Sequence, residues 1–310
     1  MGSTQITKLI DNLGGFLLGK RRELEYAVTC LLARGHLLIE DVPGVGKTTL
    51  AKALANSVKV GFHRVQFTSD LLPSDLIGVT VFHQQRGEFE FQPGPIFTNV
   101  LLADEINRAN PKTQSALLEA MHDAQISHDG RTTPLPVPFF VIATQNSKDH
   151  HGTFPLPESQ LDRFLMKIHL GYPQPAFEKR VISGKYRQDF GQAEAMDSET
   201  LLQLQSLAAG VHLSDDVLEY IYQILNATRR HPAILVGVSP RGGQALYRAS
   251  QALAFVRGRD FVIPDDVREL ASAVCAHRLI LNPSQMNERS GQVGAGAIIQ
   301  ELLNTLVAPI

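Results

Sequence analysis

Asp41-Val-Pro-Gly-Val-Gly-Lys-Thr-Thr49 decides how this chain is read. Before it stands Gly35-His-Leu-Leu-Ile-Glu40, an apolar run of strand length. After it, Thr48-Thr-Leu-Ala-Lys-Ala-Leu-Ala55 places Leu50 and Leu54 one helical turn apart. A strand, a glycine-rich turn and a helix N-terminus aim several backbone N–H groups, and the positive end of a helix dipole, at one point. Such a point suits a polyphosphate. Lys47 then reaches the β- and γ-phosphates, Thr48 ligates Mg²⁺, and Gly44 and Gly46 let the backbone approach where a Cβ would intrude. Asp41 departs from G-x-x-x-x-G-K-[ST], which asks for glycine at that position. Aspartate tolerates left-handed backbone, so the loop survives the change. It also brings a carboxylate towards the phosphates, which weakens the match taken in isolation. The strand before the loop and the helix after it argue against a chance glycine turn.

At 310 residues the chain is long enough for a substantial core and two domains. An apolar content of 44% and a charged content of 19% are those of a soluble globular protein. The formal net charge of −2 supplies no global attraction to nucleic acid or to an anionic membrane. Cys30 and Cys275 both lie in apolar, helical-looking segments and read as buried free thiols, as in a reducing cytosol. No apolar stretch has the length of a membrane span, and Met1-Gly-Ser-Thr-Gln lacks the layout of a signal peptide. The expected location is cytoplasmic.

The first half alternates strands and helices. Phe62 to Phe67, Val100 to Ala103 and Phe139 to Thr144 read as strands, the last two as continuous apolar runs buried on both faces of a parallel sheet. Lys112 to Ala124 reads as a helix. The alternation predicts an α/β sandwich. Two hairpins interrupt it: Val79 to Phe91, turning at Arg86-Gly87, and Ile126 to Pro134, turning at Asp129-Gly130. Sequence statistics favour reading them as decoration. Beyond Gly171-Tyr-Pro-Gln-Pro175 the pattern becomes all-helical, with helix starts at Ser214-Asp-Asp, Ser239-Pro240 and Ile263-Pro-Asp-Asp. The chain divides near residue 172.

Val100-Leu-Leu-Ala-Asp-Glu105 is an apolar strand ending in two carboxylates. Asp104 suits the Mg²⁺ shell, and Glu105 suits a base that polarises water for in-line attack on a γ-phosphate. The third strand ends at Asn146, which either positions that water or is a turn asparagine. Pro155 to Phe164 places Arg163 at the end of a short helix, where a lone arginine more often caps carboxyl groups. The adjacent His150 and His151 point apart in a polar loop and read as solvated. His231 and His277 read as surface or satisfied core residues.

Assembled, these stretches resemble the MoxR-type AAA+ ATPases nearly end to end. The residues that carry the resemblance are Glu40 to Thr49, Ala103-Asp-Glu-Ile-Asn-Arg-Ala109, Ala143-Thr-Gln-Asn146, Leu156 to Phe164 and Gly237-Val-Ser-Pro-Arg-Gly242. Asp41 is the usual form of the loop in that family. The resemblance implies an AAA+ parallel-sheet α/β core over 1–172 and a smaller all-helical lid over 173–310. The core would carry a helix-2 insert hairpin at about 79–93 and a hairpin before sensor 1 at about 126–137. It implies ATP and Mg²⁺, held by Asp41, Val42, Pro43, Gly44, Val45, Gly46, Lys47, Thr48 and Thr49, with Gly19 and Lys20 bordering the adenine and with Thr48 and Asp104 as metal ligands. Glu105 is the Walker B base, Asn146 sensor 1, Arg163 an arginine finger acting on the neighbouring subunit, and Arg241 sensor 2.

The resemblance further implies a homo-oligomeric ring, with a hexamer expected, whose two hairpins surround a pore. Its clients would be proteins, with a von Willebrand factor A domain partner or metal-cofactor insertion among the family's roles. Two other readings stay open. A nucleic-acid motor would need basic or aromatic hairpin tips, whereas His83, Arg86, Glu88, His128, Asp129 and Arg131 are a mixed set. A nucleotide-gated scaffold would assemble on ATP without remodelling anything.

Overall fold

The computed structural model describes residues 2–146, 153–187, 189–190, 196–282 and 294–309. Two helices, α1 (Gly2–Phe16) and α2 (Arg21–Leu32), precede an alternating series of β1 (Leu37–Glu40), α3 (Lys47–Ser57), β2 (Phe62–Gln66) and α4 (Pro73–Ile77). The hairpin of β3 (Gly78–His83) and β4 (Glu88–Pro93) leads to β5 (Val100–Asp104) and α5 (Pro111–Asp123). A second hairpin, β6 (Gln125–His128) and β7 (Arg131–Pro134), leads to β8 (Phe140–Gln145), α6 (Glu158–Leu161) and β9 (Met166–Ile168). Helices follow: α7 (Pro175–Ile182), α8 (Ser198–Ala209) and α9 (Asp215–Arg230). After β10 (Ile234–Val236) come α10 (Pro240–Val256), α11 (Pro264–Cys275), β11 (Ile280–Leu281) and α12 (Ala295–Thr305). The second half is therefore not wholly helical, because β10 and β11 pair antiparallel.

The five parallel strands lie in the order β2-β5-β8-β1-β9. Every residue of β5 is buried, as are the first five of β8, which is why both read as unbroken apolar runs. Successive side chains leave the sheet on opposite faces. Leu37 and Ile39 join Leu50, Leu54 and the helices α1 and α2, while Leu38, Leu101 and Val141 pack with Leu117 and Leu118 of α5. The first of these cores runs on without a break into Leu246, Leu253 and Leu270 of the helical half. Helices α10 and α8 pack against α2, so the residues beyond 172 close over one face of the sheet rather than forming a separate core.

Local chemistry explains the element ends. Ser214 and Ser239 cap α9 and α10 by accepting from Val217 N at 3.4 Å and Gly242 N at 3.1 Å. At the tip of the second hairpin, Asp129 (φ 48°) and Gly130 (φ 72°) are both left-handed, the geometry of a tight two-residue turn. The hairpins touch each other, with Thr80 Oγ1 donating to Asp129 Oδ2 at 2.5 Å and Phe91 stacked on His128 at 3.6 Å. Phe82 and Phe89, 5.0 Å apart, continue that face into solvent. Cys30 and Cys275 are buried and unpaired. No helix among the described residues is long and apolar enough to cross a membrane.

Candidate nucleotide site

Parallel strands put their carboxyl ends on one edge of the sheet, and this edge gathers most of the chemistry. The loop 41–46 leaves β1 there, Asn146 follows β8, and Asp104 and Glu105 close β5. Gln145 pairs in register with Glu40, and Asp104 with Gln66. Gly44 (φ 84°) and Gly46 (φ 98°) are left-handed, Gly46 serves as the N-cap of α3, and a Cβ on Gly44 would project into open space. The loop is thus an open cradle at a helix N-terminus. Lys47 is buried, and its ammonium donates to the Asp41 carbonyl at 2.9 Å.

Asp41 does not behave as the loop pattern suggests. Its backbone is not left-handed. Its carboxylate turns away from the cradle and accepts from Val42 N at 2.8 Å and from Gly171 N at 2.5 Å. The loop start is thereby fixed to the chain leaving β9. Lys20 braces the same segment from the other side, donating to the carbonyls of Leu170 and, at 2.8 Å, Tyr172. Its ammonium is spent on that contact, though Lys20 still lines a cleft of ≈ 320 Å³ beside the loop, with Phe16, Leu17, Val45, Tyr172 and Ile182 as apolar walls. Gly19 (φ 73°) packs so closely that a Cβ there would stand 2.4 Å from the Phe177 ring.

The acidic pair is held by residues whose roles sequence reasoning missed. Thr144 Oγ1 donates to Asp104 Oδ1 at 2.5 Å and accepts from Glu105 N at 2.9 Å. Arg64 grips Asp104 Oδ2 at 2.7 Å. Glu105 sits in the left-handed region (φ 57°, ψ 49°), costly for a residue with a side chain and common at functional sites. Its Oε2 accepts from Gln66 at 3.0 Å and pairs with Arg108 at 3.1 Å. Arg64 and Gln66 alternate along β2, a pattern that gains meaning only once β2 is known to lie beside β5.

The Thr48 hydroxyl and the Asp104 carboxylate are hard oxygen donors, a set that suits Mg²⁺ when phosphate and water complete its shell. Among the described residues no group of three or more His, Cys, Asp or Glu could hold a metal by itself. His150 and His151 lie outside the described residues.

Arg163 and Arg241 are not at this edge. Both line a crevice of ≈ 1010 Å³ between α5, α9 and α10, at the amino ends of β1 and β9, beside Gly35, His36 and Leu165. Four residues of β1, at about 3.3 Å each, put roughly 13 Å between that end and the start of the loop. Arg163 donates to the main-chain carbonyl of Leu118, not to an acidic group. Arg34, Arg229, Arg248 and Arg278 share the crevice, and Asp162 is the one carboxylate among its described lining residues. Burial, and then the neighbouring Arg241, hold the Arg248 guanidinium below its ordinary pKa. His36, deep in this wall, donates from Nε2 to Met121 O at 3.0 Å and accepts from Val141 N at 3.0 Å, and burial pulls its pKa down to about 4. His277 is buried too, with Nε2 3.2 Å from Phe164 O and 2.9 Å from Arg278 Nη1.

Residues 36–166 match the ATPase family associated with various cellular activities (AAA), and residues 226–302 match the AAA lid domain. The chain is 45% identical to the uncharacterised protein YeaC of Bacillus subtilis, over 98% of this chain and 94% of that one. It is 40% identical to the chaperone MoxR1 of Mycobacterium tuberculosis, over 98% and 82% of the two chains. A crystal structure of a Cytophaga hutchinsonii protein carrying a provisional ATPase designation superposes with a TM-score of 0.91 at 36% identity, covering 100% of this chain and 96% of that one. With a phosphate cradle beside paired carboxylates on a five-stranded parallel sheet, and with similarity along almost its whole length, the chain belongs to the MoxR family of AAA+ ATPases.

Proposed function

We propose that this chain hydrolyses ATP at the interfaces of a homo-oligomeric ring, with a hexamer expected, and uses the cycle to remodel or activate partner proteins in the cytoplasm. The observation that carries this reading is the opposed placement of Lys47, Asp104 and Glu105 on one edge of the sheet and Arg163 and Arg241 on the other. A subunit presents a phosphate cradle and a carboxylate base at one edge and a cluster of cationic side chains at the other. The nucleotide in one subunit's cradle then meets the arginines of the next.

Each residue has a task. The cradle and Lys47 bind the phosphates, with Lys47 exchanging the Asp41 carbonyl for a phosphate oxygen. Mg²⁺, held by Thr48 and Asp104, would neutralise charge on the β- and γ-phosphates. Glu105 accepts the proton of the attacking water, and Asn146, across β8, orients that water. Arg163 and Arg241 of the neighbour stabilise the transferring phosphoryl, a contribution of about 10³–10⁵ in rate, or roughly 4–7 kcal/mol. Gly19 and Lys20 border the adenine.

Protein clients are favoured over nucleic acid by the β3–β4 hairpin. Its exposed Phe82 and Phe89 suit a peptide or a stacked base alike, but His83 lies 2.9 Å from Glu90 and Glu88 stands near the tip, a charge-balanced surface without the basic track a phosphate backbone needs. A von Willebrand factor A domain protein and metal-cofactor insertion are the partner and process the family suggests. Turnover per subunit should rise with protein concentration and collapse in Arg163→Ala. Concentration-independent turnover, unchanged by that substitution, would defeat the reading. Glu105→Gln should hold ATP and trap the client in a pull-down, whereas a passive scaffold would keep working with that change.

A further inference from the structure

We propose that Arg278, in the turn after α11, is a positioning residue that holds Arg163 and Arg241 as one unit, so that both reach the neighbouring subunit's nucleotide together. The proposal rests on the composite site described above. Arg278 has a side chain only 3% exposed, and it binds the residues that flank Arg163. Its Nε donates to Asp162 Oδ1 at 2.7 Å, and its Nη2 to Phe164 O at 2.6 Å and Asp162 O at 3.3 Å. Its Nη1 donates to Leu165 O at 3.3 Å and to the carbonyl of Val274. The residues on either side of Arg163 are thus fixed by one guanidinium.

The stem of the same side chain packs against the start of α10. A Cβ on Gly242, the residue after Arg241, would lie 2.9 Å from Arg278 Cδ. Ser239, the N-cap of α10, points its hydroxyl at Asp162 Oδ2 at 3.5 Å, so Asp162 is shared between Arg278 and the cap. The two arginines sit on different halves of the chain and would otherwise be oriented independently. A guanidinium is a rigid fork of donors, which lysine cannot copy. Burial lowers the pKa of Arg278, and Asp162 works against that, so the pair belongs together electrostatically as well.

The test uses two variants of the full chain, Arg278→Lys and Asp162→Asn, the second leaving the buried guanidinium in place. A displacement of about 1 Å in a reacting group costs up to about 10²-fold, so kcat should fall about tenfold to hundredfold while nucleotide affinity and ring assembly shift less than about twofold. Each variant is then mixed with Lys47→Ala subunits, which lack a working loop but lend intact arginines. Mixing should restore hydrolysis above either population alone. Unchanged kcat in both variants, or a loss that mixing does not restore, overturns the proposal. Arg163→Ala mixed with Lys47→Ala is the control: no rescue there sinks the composite site itself, while rescue there without rescue of Arg278→Lys sinks only the role of Arg278. Where Arg278→Lys fails to fold, Asp162→Asn carries the same test.

Discussion

The hydroxyl of Thr144 lies 2.5 Å from Asp104 Oδ1, across the ladder that joins β8 to β5, and the same oxygen accepts from Glu105 N at 2.9 Å. One fully buried side chain therefore sets both the carboxylate of Asp104, the proposed Mg²⁺ ligand, and the left-handed backbone of Glu105, the proposed base. Thr144→Val keeps the shape and removes both bonds. Leaving those groups unsatisfied costs about 1–3 kcal/mol each. The midpoint of urea unfolding should fall, and hydrolysis should fall more than nucleotide affinity. An unchanged midpoint with full activity would show that water replaces the hydroxyl.

Gln66 and Arg108 both hold Glu105 Oε2, at 3.0 and 3.1 Å, and so keep the base engaged with protein rather than water. Releasing a hydrogen bond of about 1 kcal/mol should speed a step that depends on freeing Glu105 by about fivefold. Gln66→Ala is accordingly expected to raise basal turnover. A steady-state assay at fixed protein concentration decides the matter, since a fall would mean that Gln66 aims the base instead of restraining it.

Asp41→Gly restores the glycine of the common loop pattern, yet it should weaken nucleotide binding. The substitution strips the acceptor from Val42 N and Gly171 N. Bonds to a charged acceptor are worth about 1.5–3 kcal/mol, and even one such loss, expressed as a looser cradle, weakens affinity roughly tenfold or more. Titration with a fluorescent ATP analogue measures it. Equal or tighter binding would show that Asp41 does not hold the loop.

His36 makes stability depend on pH. Its pKa is about 4 in the folded chain against an ordinary value of 6.5, so the unfolded chain takes up a proton first. The stabilisation is complete above pH 6.5 and is lost as pH falls towards about 4, at close to 1.4 kcal/mol per unit. Buried His277, also held well below its ordinary value by burial, acts in the same direction. Urea midpoints at several pH values between 6.5 and 5 should fall steadily, and His36→Gln should flatten the slope. A slope identical in both proteins would exclude His36 as its source.

Much of this is legible in the sequence itself. The cradle, the acidic strand end and the helix starts at Ser214 and Ser239 are local patterns, fixed by residues within a few positions of one another. What could not be read depends on distant parts of the chain. Asp41 looked like a blemish because its partner, Gly171, is 130 residues away. Arg64 and Gln66 lie on a segment whose sequence says only strand, and their partners Asp104 and Glu105 are 40 and 39 residues away. The position of Arg241 is set by how α10 packs on α2, which no short motif encodes.

The sidedness of the subunit limits the shapes its assemblies can take. A cradle on one edge and arginines on the other can be joined only head to tail, an arrangement that either closes on itself or grows without end. Two subunits facing each other across a twofold axis bring like edges together and leave both cradles unserved. An open stack of any length leaves one cradle and one set of arginines idle at its ends. Closure alone engages every site, so the proposed sharing of each nucleotide between neighbours calls for a ring and not a pair.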